Sequence, residues 1–167
     1  MIITSNYDTR IDDKGYAHIR SREQHTCPIC QGKLYVIGSR KRVLSIRSDK
    51  KTLIIRRLRC ENCKTVHHEL PDVVVPYKRH SRKTIETVIK NNNTSTRSSC
   101  SEGTARRIRT WWQSVYIYFQ GILTSLSMKY NVAFSGCMLL REIVRAAVNA
   151  NLWPHTRSAF LPNYRSK

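Results

Sequence analysis

Two C-x-x-C pairs constrain this chain more than anything else in it. Cys27 and Cys30 stand in CPICQGKL, and Cys60 and Cys63 in RCENCK, with 29 residues between the pairs. C-x-x-C spacing lets both sulfurs of one knuckle reach a single ion at about 2.3 Å, and two knuckles present four thiolates tetrahedrally. The intervening KLYVIG, RKRVLSI and TLIIRRLRC are rich in Val, Ile, Leu and Tyr. They read as strands, broken at Gly38 and turned at RSDKK. The gap is wide for a ribbon, so a long hairpin is expected. Gly32 suits the tight turn of the first knuckle.

The expected cofactor is one structural Zn²⁺ held by Cys27, Cys30, Cys60 and Cys63. Catalytic zinc keeps an open position, which four thiolates fill. The competing readings are a disulfide framework, disfavoured in a reducing compartment, and a site in which His67 replaces one cysteine. His67 and His68 are adjacent on a strand and point to opposite faces, so surface or hydrogen-bonded core is the better reading for both. Cys100 and Cys137 read as small hydrophobes.

The pattern changes along the chain. Residues 1–26 read as a weakly patterned lead-in, 27–77 as the zinc ribbon, and 78–167 as a helical domain. TVHHEL is a further short strand, and DVVV between Pro71 and Pro76 an extended connector. A helix is expected from about residue 82 to 91, capped by Ser81, with Ile85, Val88 and Ile89 on one side. Polar residues at 91–101 mark a loop. Ser101 then caps a long helix, and a last helix runs from about 136 to 150, with Trp153 and Phe160 as core plugs. The fold class expected is α+β: an N-terminal four-cysteine ribbon with a small antiparallel sheet, followed by a helix-turn-helix-like bundle.

Thirty Lys and Arg against eleven Asp and Glu give a formal charge of +19. That balance points to a polyanion, most simply nucleic acid, with an anionic membrane as the weaker partner. Nine of the twenty residues from Arg40 to Arg59 are Lys or Arg, with Asp49 the only acid. Strand parity puts Arg57 and Arg59 on one face and Ile54 and Leu58 on the other, with Arg56 on the apolar side. The candidate contacts on the ribbon are Arg40, Lys41, Arg42, Arg56, Arg57 and Arg59. Those leading into the helices are Lys78, Arg79, Arg82 and Lys83. On the long helix they are Thr104, Arg106, Arg107 and Arg109, where the N-terminal turns of a recognition helix would meet the major groove. The 111–128 stretch carries no formal charge, but its apolar residues recur at three and four, the mark of a core helix rather than a membrane span. With no signal-peptide pattern at the start, the chain reads as cytoplasmic.

The segments CPICQGKLYVIGSRKR, LIIRRLRCENCKTVHHELPDVVVPYKRH, TARRIRTWW and LWPHTRSAFL resemble an uncharacterised bacterial family. It is a domain of unknown function found largely in Firmicutes, often beside mobile elements, and the likeness covers about Cys27 to Leu161. The arrangement also resembles the zinc-ribbon and helix-turn-helix front end of insertion-sequence transposases. The resemblance implies double-stranded DNA as partner and names no activity; NNNTSTRSSCSEGT departs from a compact helix-turn-helix. Such transposases cut with three carboxylates around two metals, and after Glu102 the only acid is Glu142. The expectation is therefore a non-catalytic DNA-binding regulator or mobile-element accessory factor. An RNA-binding module or a protein adaptor is the alternative, and a homodimer or partner protein is left open.

Overall fold

The computed structural model describes residues 1–46, 49–91, 100–131 and 140–154. Among them lie six strands and three helices: β1 (Ile2–Thr4), β2 (Tyr7–Ile11), β3 (Ala17–Ser21), β4 (Leu34–Ile46), β5 (Asp49–Cys60), β6 (Val66–Pro71), α1 (Arg82–Lys90), α2 (Glu102–Tyr130) and α3 (Leu140–Asn149). The expected α+β class is what the chain adopts.

β5 is the spine of the sheet. Along one edge it pairs antiparallel with β4, from Leu34 opposite Cys60 to Ile46 opposite Asp49. Its other edge is shared by two strands laid end to end. β3 pairs parallel to it at Leu53 and Ile54, and β6 antiparallel from Arg57 to Arg59. β2 extends the sheet beyond β3, and β1 runs parallel to β6. The expected small antiparallel sheet is thus corrected to a six-stranded mixed one.

The first 26 residues are not a lead-in. They supply β1, β2 and β3. Ile2 and Ile3 are buried, and in β3 Ala17 and Ile19 point inward between the exposed His18 and Arg20. β2 and β3 are joined by DDKGY, where Asp12 Oδ1 accepts from the amides of Lys14 and Tyr16, and Gly15 takes φ 73°. These strands are three to five residues long, too short to give a periodic signal that stands out from polar chain.

Gly38 does not break the strand. β4 is continuous, and its register shifts between Val36 and Gly38, leaving Ile37 as the extra residue of a bulge. Gly38 at φ 146° permits that geometry. The DVVV connector is not extended: the Val74 amide returns to the Pro71 carbonyl in a turn, and Val74 and Val75 are fully buried.

The helices cover one face of the sheet. Ile3, Ala17, Ile19, Leu44, Leu53, Ile55 and Leu70 from the strands join Ile85, Val88, Ile108, Val115, Phe119, Ile143 and Val144 from the helices in one buried cluster, which crosses the expected boundary at 77/78. α1 starts where Ser81 Oγ accepts the Thr84 amide, the cap expected. α2 ends at Asn131 in the left-handed region, φ 50°. Trp153 is buried, with its ring centroid 5.1 Å from that of Phe119. Asn149 of α3 pairs with the Ile3 amide and carbonyl, closing the free edge of β1. Most of the expected 91–101 loop, the start of the last helix, Cys137 and Phe160 lie outside the described residues. Among the described residues no helix is long and apolar enough to cross a membrane.

Candidate metal centre and basic face

The two C-x-x-C turns meet at the end of the sheet that the helices do not cover. The first precedes β4, and the second follows β5 directly. Because Leu34 pairs with Cys60, the hairpin register alone brings the knuckles together. Each follows the same course. The Gln31 amide bonds to the Cys27 carbonyl, and Cys27 N to Gly32 O; Cys60 N bonds to Thr65 O. The residue after each second cysteine is left-handed, Gln31 at φ 60° and Lys64 at φ 59°. Gly32 therefore does not supply the turn's positive φ, as its position implied. It supplies space: a Cβ there would stand 2.8 Å from the Asn62 side chain and 2.9 Å from Cys60 Sγ.

The four sulfurs lie within 4.8 Å of one another. Cys30 Sγ is 3.4 Å from Cys60 Sγ, and Cys27 Sγ is 3.6 Å from Cys63 Sγ. Four thiolates around an ion at about 2.3 Å would stand about 3.8 Å apart. The donors thus fit a metal ion. Cys27 and Cys60 are buried, and Cys30 and Cys63 face the surface. Burial pushes the Cys60 thiol up to about 11, against the amides of Cys63 and Asn62 that favour its thiolate. The side chain and amide of Thr65 pull Cys63 down to about 6. A metal would hold all four as thiolates.

His67 is buried on β6, opposite Leu58, with Nε2 3.4 Å from Cys27 Sγ. It is hydrogen-bonded core, and the set of mutually close ligand atoms is the four cysteines without it. Its contact with Cys27 had no signal in the sequence beyond the residue type.

The acids explain where many of the cations go. Seven of the eleven, Asp8, Asp12, Glu23, Glu69, Asp72, Glu86 and Glu102, hold a basic partner. Leu53 and Ile55, not Ile54, are the buried residues in the middle of β5, and Arg56, on the opposite face with Leu58, meets the buried Glu69 at 2.7 and 2.8 Å. Its guanidinium also reaches the Ser21 carbonyl, while Glu69 accepts from the Ser21 amide. The pair therefore seals the junction where β3 abuts β6. Arg82 is bound to Glu86 and the Asp72 carbonyl, and Arg109 to Glu102. Arg42 donates to the carbonyls of Val75 and Lys78. Thr104 shares a hydrogen bond with Ser101, and Lys41 lies over the Tyr16 ring at 4.6 Å.

Among the described residues no carboxylate lies in ion-pair range of the other candidates, Arg40, Arg57, Arg59, Lys78, Arg79, Lys83, Arg106 and Arg107. Three of these share one sheet face with His68. Arg57 pairs with His68, and Arg40 and Arg59 follow on the same side of the sheet. Burial and the charges of Arg40, Arg57 and Arg42 hold His68 below the usual histidine range. Arg42 carries this face to the 75–78 segment. There Lys78 Nζ sits 4.1 Å over the Trp111 ring, and Arg107 lies one turn before Trp111 on α2.

A family described as a domain of unknown function (DUF6431) matches residues 27–111. The chain belongs to that family. No curated protein and no solved structure matches it. The DUF6431 span opens on Cys27, the first of the four clustered cysteines, and closes on Trp111. It takes in both knuckles, the basic face and the first turns of α2, and leaves β1–β3 and α3 outside.

Proposed function

We propose that this protein binds double-stranded DNA without cutting it, as a site-specific regulator or mobile-element accessory factor, and that a structural Zn²⁺ on the four cysteines sets the geometry of the binding face. The observation that carries the reading is the acid-free basic track from Arg59 through Arg57, Arg40 and Lys78 to Arg107, in a chain whose acids are mostly spent on other arginines. Cations without acidic partners are free to displace counterions from phosphates. The resemblance to transposase front ends points the same way. A four-thiolate zinc has no open position for water, and Glu69 and Asp72 are held in ion pairs with Arg56 and Arg141, which favours a binding role over catalysis.

One observation favours the second reading, an RNA-binding module or adaptor. Tyr35, Val36 and Ile37 are exposed beside the first knuckle, where an aromatic ring can stack a splayed base. The test is titration of the full chain on a labelled duplex and on single-stranded RNA over a range of salt. For about 6–8 neutralised phosphates, log K on the duplex should fall with log salt at a slope of about −5 to −7. Arg57→Ala and Arg107→Ala should each weaken binding. Tighter binding to single-stranded RNA, or a salt-insensitive complex, would overturn the duplex reading.

A further inference from the structure

We propose that His67 is a positioning residue of the four-sulfur centre: its Nε2–H donates to the Cys27 thiolate and holds that sulfur toward the metal. The side chain is 2% exposed, so the imidazole has no water to turn to. Nε2 lies 3.4 Å from Cys27 Sγ, within range for a hydrogen bond to sulfur. On the other side of the ring, Nδ1 lies 3.1 Å from the Met1 nitrogen. As an ammonium that nitrogen has no lone pair to offer and can only donate, which makes Nδ1 the acceptor there. A neutral imidazole has one donor and one acceptor, which leaves the proton on Nε2, facing the sulfur.

Four thiolates around a divalent ion carry a net charge of about −2. Cys30 and Cys63 can share theirs with water, but Cys27 and Cys60 are buried. Cys60 has amides of its own knuckle to serve it. His67 reaches Cys27 from a different element, β6, and links the first knuckle to the strand paired with β5. Buried thiolate charge without a donor is costly, and partners of this kind orient ligands and tune affinity.

The proposal rests on the four cysteines holding a metal, and the test separates the two. The probe is cobalt(II), titrated into the metal-free full chain and then displaced by zinc, with wild type, Cys27→Ser, His67→Gln and His67→Leu compared. Wild type should bind one cobalt with thiolate charge-transfer bands. His67→Leu should weaken binding by about 10–100-fold and shift those bands, while His67→Gln, which keeps an N–H donor, should recover most of the affinity. Wild-type affinity and bands in His67→Leu, or equal losses in both variants, would overturn the positioning role while leaving the metal reading intact. No cobalt binding by wild type would overturn both. Should His67→Leu fail to fold, nitrogen NMR on zinc-loaded wild type decides. An Nε2–H tautomer supports the proposal, and an Nδ1–H tautomer or a direct nitrogen–metal bond refutes it.

Discussion

Along β5, Leu53 and Ile55 belong to the same buried cluster as Ile85, Phe119 and Ile143. A few residues on, Leu58 and Cys60 are just as buried but stand outside that cluster, as do Cys27 and Ile2. Opposite them, residues 35–41 of β4 are all exposed. One strand therefore passes from an end held by apolar burial to an end with little apolar area to bury. At the second end the four cysteines occupy the place of a core. A hairpin with no covering layer is marginal in water, so metal there would contribute to folding rather than decorate a finished fold.

The largest expected effect follows. Cys60→Ser, or a strong chelator, should abolish metal binding and loosen the knuckle end. Amide exchange should rise in β4 at 34–41, in β5 at 57–60 and at the start of β6, while α1, α2 and α3 keep their protection. If the helices lose protection in step with the knuckles, the two ends are one cooperative unit and the contrast between them fails.

Next comes the converse cut. Phe119 is 1% exposed, against Trp153 and Trp112. Phe119→Ala should cost about 3–5 kcal/mol in denaturant unfolding, with zinc affinity unchanged. A matching loss of metal affinity would show that the helices hold the knuckles in place.

Legibility in the sequence divides along the same line. The knuckles are readable because ligand spacing is a local geometric requirement, and the helix faces because their periods run long enough to register. Ser81 was readable as a cap because capping involves only the next three residues. β1, β2 and β3 were not, because a strand of three to five residues owes its existence to the partner strand. Arg56 is ambiguous in the sequence for a related reason. Its explanation is Glu69, thirteen residues away and adjacent only once β5 and β6 pair. The contact of His67 with Cys27 and the bulge at Ile37 likewise depend on register.

Glu69 lets that point be tested at smaller amplitude. It is 1% exposed, and its removal leaves the Arg56 guanidinium without a counter-charge and the Ser21 amide without its acceptor. Glu69→Leu should cost about 2–3 kcal/mol. The double variant Glu69→Leu, Arg56→Met should recover most of it, since a buried pair is often replaceable by apolar residues of similar size. Failure of the double variant to recover would mean that the ion pair is needed to hold β3 and β6 end to end.

The smallest effect expected is at Glu23, which ties the β1–β2 turn to α3. Its Oε1 accepts from the Ser5 and Asn6 amides at 2.7 Å, and its Oε2 from Arg145 at 3.1 Å. Burial alone would raise its pKa, but the two amides and Arg145 outweigh that and hold it below the usual 4.5. With the folded pKa depressed, the unfolded chain binds more protons over the interval between the two values. The contribution of Glu23 is therefore fully present above about pH 4.5 and is lost as pH falls through the folded value. Acid would also protonate metal-held thiolates and release a metal bound there, so stability of the wild type alone would not isolate the effect. The difference between wild type and Glu23→Gln does, because both lose metal alike. That difference should be about 1 kcal/mol at pH 7 and shrink toward zero in acid, measured by urea unfolding across the pH range. A difference that stays constant with pH would mean that Glu23 acts through its shape and not its charge.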